Sequence, residues 1–264
     1  MRKIAALLLA CLLFGGCEER HAAPVQAESS EDAAPVSSQW WEEVPEELSS
    51  DPEPEESSPA SEEPSSEPEE PPLELEEWAL VLANYDHDIR EYEPELEEVQ
   101  NGYRMDVRVA EIARQMIADA AEQGVSLLVC SAYRPYSSQE RNFNNSVNTY
   151  LSMGYSQDQA VAATAQLIAY PGRSEHQTGL AADIVTPAYQ GLDDGYAETD
   201  AAKWLLENAA DYGFILRYPA DKTEITRINF EPWHYRYVGI DAAKEIMENG
   251  LCLEEFLEQQ GMIE

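Results

Sequence analysis

The feature that most restricts this chain is a tract it cannot pack. Residues 18–77 hold 21 of its 52 acidic residues and ten of its 16 prolines, against one basic residue, Arg20. Like charges repel, and the few apolar side chains bury too little surface to offset the entropy of ordering. An extended, disordered Glu/Pro/Ser-rich linker is therefore expected, reaching at most about 190 Å at roughly 3.1 Å per residue. Its Trp40-Trp41 pair and His21 are read as carrying no role. Folding is left to residues 78–264, enough chain for one core. A net charge of −36 repels phosphate backbones, which argues against nucleic-acid binding.

The amino terminus reads as an export signal, residues 1–17. Arg2 and Lys3 precede the apolar run Ile4 to Phe14, which is too short for a permanent membrane helix. Leu13-Phe14-Gly15-Gly16-Cys17 resembles a bacterial lipobox, with Cys17 as the lipidated residue. The competing reading is ordinary signal cleavage and full secretion. Lipidation implies an exported lipoprotein on the extracytoplasmic face of the membrane, reaching into the cell wall. In the folded part, Cys130 and Cys252 could form a disulfide or remain buried thiols.

Within residues 78–264, Asp106 is positioned to cap a helix running to about Gln123. Val109, Ile112, Ala113, Met116, Ile117 and Ala120 line one face of it. Residues 125–132 read as a buried strand, 138–153 and 156–169 as helices, and 181–185 as a short strand. A helix over 201–212, strands over 214–218 and 235–238, and a helix from Asp241 complete the pattern. Short strands mixed irregularly with helices predict α+β.

Chemistry is confined by scarce histidine. Of the four, His21 lies in the linker and His87 in a polar loop. His176 follows Arg173-Ser174-Glu175 and has Asp183 seven residues on, at an apolar strand; His234 follows Glu231-Pro232-Trp233. Two imidazoles and a carboxylate suit a three-ligand zinc site with one position open to water, beside which a non-ligand carboxylate can act as base. The spacing equally allows hydrogen-bonding roles for all three, and it is not the His-Glu-x-x-His pattern.

A third segment, Ser131-Ala132-Tyr133-Arg134, places an arginine just past a buried strand. With His-x-x-Gly-x-x-x-Asp and Glu-x-Trp-His it completes an ordered set over residues 78–246 that resembles the VanY-type D-alanyl-D-alanine carboxypeptidases. The resemblance implies a hedgehog/DD-peptidase-like α+β fold, with a small, mostly antiparallel central sheet flanked by helices. It implies one Zn2+ held by His176, Asp183 and His234, with Glu231 as general base and Arg134 steadying the developing oxyanion. Gln139, Ser174 and Tyr235 match positions lining the substrate groove. The implied partners are a peptidoglycan stem peptide and, through the lipid, the membrane; the chain is read as a monomer. The expected activity is removal of the terminal D-alanine from stem pentapeptides. The alternatives are L,D-carboxypeptidase action on tetrapeptide stems, endopeptidase cleavage of cross-bridges and, from another class, a catalytically silent wall-binding module.

Overall fold

A computed structural model describes residues 73–263. The leader, Cys17, His21, Trp40-Trp41 and nearly all of the expected linker lie outside the described residues. The first helix is preceded by a hairpin, β1 (Leu96–Gln100) and β2 (Tyr103–Asp106), turned by Asn101 and Gly102 with φ of 53° and 83°. Two consecutive left-handed residues match the right-handed twist of paired strands, and Asn-Gly reaches them at little strain. Asp106 then caps α1 (Val107–Glu122), its side chain accepting from the Arg108 amide. Val109, Ala113, Met116 and Ala120 form the buried stripe of α1. The predicted helix is there, with its cap.

Strand β3 (Leu128–Ser131) is shorter than the run 125–132, because the Val125 amide is committed to the Ala120 carbonyl in closing α1. Next come α2 (Tyr136–Ser152) and α3 (Gln157–Ala165), the latter started by a Ser156/Gln159 capping box. The two helices enclose Phe143, Val147 and Ala160 in a satellite cluster. A short 3-10 turn, Glu175–Thr178, leads through Gly179 into β4 (Ala181–Val185). Then follow α4 (Asp200–Asn208), β5 (Phe214–Leu216), the single turn α5 (Thr223–Thr226), β6 (His234–Tyr237), α6 (Ile240–Glu248) and α7 (Leu253–Gln259).

The central sheet is antiparallel throughout, in the order β3-β4-β6-β5. The architecture is α+β. Its two central strands, β4 and β6, are buried on both faces, and the two faces differ. Ala182, Ile184, Tyr235 and Tyr237 join Val129 and the buried stripe of α1 in the main core. Side chains alternate along a strand, so Asp183, His234 and Arg236 point to the opposite face. A second cluster packs Leu80 and Leu82 against Ile215, Val238, α6 and α7. Residues ahead of Trp78 touch this folded unit too: the Glu74 amide donates to Asp241, and the Tyr237 hydroxyl donates to Glu76. Cys130 and Cys252 are both free thiols. No helix among the described residues is long and apolar enough to cross a membrane.

Candidate metal centre

The polar face of the sheet carries the site because of one register. Asp183 on β4 pairs directly with His234 on β6, which sets residues 51 apart in sequence opposite one another. Directly opposed residues on one face stand close enough for their side chains to meet. His176 arrives from the 3-10 turn, whose left-handed end at Gly179 has φ of 72°. A Cβ on Gly179 would stand 2.9 Å from the Asp106 backbone nitrogen, so this turn presses on the hairpin as only glycine allows. The three side chains are buried, and one donor atom from each lies within 4.8 Å of the others.

The hydrogen bonds settle which atoms face inward. His176 Nδ1 lies 2.7 Å from the Ala132 carbonyl, which can only accept, so Nδ1 bears the proton and Nε2 offers its lone pair. That Nε2 is 3.4 Å from Asp183 Oδ2, while His234 Nδ1 is 3.1 Å from Asp183 Oδ1. Glu231 Oε2 stands 3.6 Å from His234 Nδ1. Glu231 is thus beside the cluster without belonging to its tight donor set.

Electrostatics describe a pocket short of positive charge. Burial pushes the Glu231 carboxyl up to about 8, with the charge of Asp183 adding to the effect against the pull of His234 and Arg134. Burial also acts to lower His234, but the neighbouring carboxylates of Asp183 and Glu175 win and raise it to about 9. For Asp183, burial is outweighed by both imidazoles, and the carboxyl is held well below the usual range. His176 is lowered by burial and by the charge of Arg134. A proton on His234 here balances carboxylates that a divalent cation would otherwise balance. The donor set of two imidazoles and one carboxylate is one that zinc accepts, so the residues present fit the ion.

The other expected residues fall in different places. The Arg134 amide donates to the His176 carbonyl at 3.0 Å, and its Nε is buried with no hydrogen-bond partner among the described residues. Gln139 is buried and donates its amide to the Ala169 carbonyl at 2.6 Å, an anchor for the loop that precedes the 3-10 turn. Ser174 is the buried residue at the start of that turn, without a side-chain capping bond. Tyr235, expected to line the groove, lies in the main core on the reverse face of the sheet. Its position next to His234 in sequence is what sends it there. His87 is exposed, held by Asn84 in its own loop.

Four residues near the site carry no expectation from the sequence. The Tyr218 ring lies 4.8 Å from that of His234, and its carbonyl accepts from the Glu231 amide. Glu175, Arg217 and Arg236 form a buried ion cluster behind His234, with Glu175 Oε1 2.7 Å from each guanidinium. The only trace in the sequence is the arginine flanked by aromatics in Tyr235-Arg236-Tyr237, which points to burial but not to its partners.

Residues 102–240 match the family model described as VanY, D-alanyl-D-alanine carboxypeptidase. The chain belongs to the VanY family. A curated D-alanyl-D-alanine carboxypeptidase of Enterococcus faecalis is 44% identical over 169 residues, 63% of this chain and 60% of that protein. The chain thus spans about three fifths of that relative's length. A crystal structure of a mutant vancomycin-resistance D,D-pentapeptidase VanY, in complex with Zn(II), is 43% identical with a TM-score of 0.62. It is matched over 68% of this chain and 99% of its own length. The LdcB LD-carboxypeptidase structure is 37% identical with a TM-score of 0.54, over 68% of this chain and 80% of that one.

Proposed function

We propose that the chain is a zinc-dependent D,D-carboxypeptidase that removes the C-terminal D-alanine from peptidoglycan stem pentapeptides. The observation that carries this reading is the convergence of His176, Asp183 and His234, with Glu231 close by as a non-ligand carboxylate. A silent wall-binding module has no use for Glu231 there. When bound, zinc supplies a Lewis acid for the scissile carbonyl and a more acidic attacking water.

The chain's own groups do the remaining work. Glu231 takes a proton from the attacking water and returns it to the amine nitrogen of the departing D-alanine. Arg134, with its unpartnered Nε, donates to the oxygen that becomes negative as the carbonyl is attacked. The Ala132 carbonyl keeps His176 in the tautomer that leaves Nε2 free. Gln139 supports the loop leading into the 3-10 turn; Ser174, at the mouth of that turn, is the better candidate for substrate contact.

The D,D reading is supported over the L,D one by the family description and by the D,D-pentapeptidase relative, which is more similar in sequence and in structure than LdcB. Mass spectrometry of synthetic penta- and tetrapeptide stems treated with the full chain tests it. Zinc-dependent loss of one alanine from the pentapeptide is expected; cleavage of the tetrapeptide alone overturns the D,D assignment. Cys17 is further proposed as a lipid anchor, with residues 18–77 as spacer, holding a monomeric enzyme outside the membrane. Incorporation of labelled fatty acid that is lost in Cys17→Ala is the expected result, and unchanged label refutes it.

A further inference from the structure

Glu175 precedes a metal ligand in sequence, yet its carboxylate lies against the other histidine. Its side chain is wholly buried. Oε1 accepts from Arg217 Nε and from Arg236 Nη1, both at 2.7 Å. Among the described residues, Oε2 has no hydrogen-bond partner within normal reach, nor does His234 Nε2, and both atoms are buried. These two atoms stand 3.5 Å apart. A buried acceptor and a buried donor without other partners, facing one another, satisfy each other or remain costly orphans.

The surroundings keep this carboxylate ionised and in place. Arg217 also grips Glu254 of α7 through both Nη atoms, at 2.9 and 2.6 Å. Arg236 donates through Nη2 to the carbonyls of Ala79 and Val81, at 2.8 and 2.7 Å, and through Nε to that of Tyr237. Two fully buried guanidiniums thus meet two carboxylates, and the spare donors of Arg236 are absorbed by backbone. Ala79, Val81 and Glu254 all lie outside the 102–240 stretch that matches the family model.

We propose that Glu175 is a positioning residue for the metal centre: it accepts from His234 Nε2–H and so leaves Nδ1, the atom that faces Asp183, as the donor to the ion. This deepens, and rests on, the zinc site proposed above. A ligating imidazole whose other nitrogen donates to a carboxylate is fixed in tautomer and made more basic. Arg217 and Arg236 hold the carboxylate at the angle this requires.

The test uses the full chain, with zinc affinity measured by competition against a chromophoric chelator. Glu175→Asp keeps the charge and withdraws the carboxylate by one methylene; about 10–100-fold weaker zinc binding is expected. Glu254→Gln breaks the ion cluster at its far end and leaves every contact of Glu175; a lower Tm is expected, with zinc affinity within about threefold. Nitrogen-15 NMR of the unsubstituted, zinc-loaded chain should find the His234 proton on Nε2, and this measurement decides even if Glu175→Asp fails to fold. A proton on Nδ1 overturns the inference. So does Glu175→Asp binding zinc as wild type does, or Glu254→Gln losing affinity to the same degree. A wild-type chain that binds no zinc fails both this inference and the proposed function; wild-type binding with an indifferent Glu175→Asp fails this inference alone.

Discussion

Raising the pH should loosen the metal-free protein in a window where most proteins change little. Folding carries Glu231 from 4.5 to about 8 and His234 from 6.5 to about 9. Both groups therefore hold protons in the folded state that the unfolded chain has already released, so stability falls as pH rises. Between pH 6.5 and 8 the Glu231 contribution lost is about 2 kcal/mol, and between 6.5 and 9 that of His234 is about 3 kcal/mol, at roughly 1.4 kcal/mol per unit. Asp183 and Glu175, held low, finished titrating well below this window, and His176, also lowered, opposes the trend only slightly and only at the window's lower end. The expected loss is on the order of 3–5 kcal/mol, or roughly 10 °C in Tm for a folded unit of this size. Calorimetry of the chain in chelator from pH 6.5 to 9 measures it. With excess zinc the cation replaces those protons, and Tm should stay nearly level over the same range. A chelated protein whose Tm is flat or rises from pH 6.5 to 9 would refute the charge balance drawn for this pocket.

Other perturbations separate the parts of the site. Glu231→Gln should retain stoichiometric zinc by elemental analysis and lose about 10²–10⁴-fold in kcat, the range for a general base. Arg134→Lys keeps the charge but not the guanidinium fork, and a fall of about 10²-fold in kcat/KM with an unchanged metal content is expected. Gly179→Ala forces a left-handed alanine against the Asp106 nitrogen; a loss of about 2 kcal/mol, read by urea titration, should follow. Chelation should abolish alanine release, and added zinc should restore it.

Much of this was open to reading because local rules and tertiary demands agree along α1: Asp106 caps, the stripe from Val109 to Ala120 buries, and Gly124 follows the end. The donors His176, Asp183 and His234 were legible through the resemblance, since spacing alone leaves hydrogen-bonding roles equally open. The β1–β2 hairpin is harder to see. Its turn, Asn101-Gly102, is a strong signal, but Glu97 and Glu98 break the apolar alternation that would mark a strand. Tyr235 follows from residue matching into the groove, whereas strand parity next to His234 sends it to the core. Glu175, Arg217 and Arg236 were hidden for another reason: a buried charge is recognisable only by its partners, and these come from three separate segments.

The direct pairing of Asp183 with His234 also makes the ion a judge of how the sheet is assembled. A slip of one residue between β4 and β6 would send one of these two side chains to the opposite face and dissolve the donor set. Misaligned chains then gain nothing from dissolved zinc, while correctly aligned ones are drawn off by mass action. The same cation proposed for hydrolysis would thus proofread folding, and zinc supplied during refolding should raise the yield of native protein.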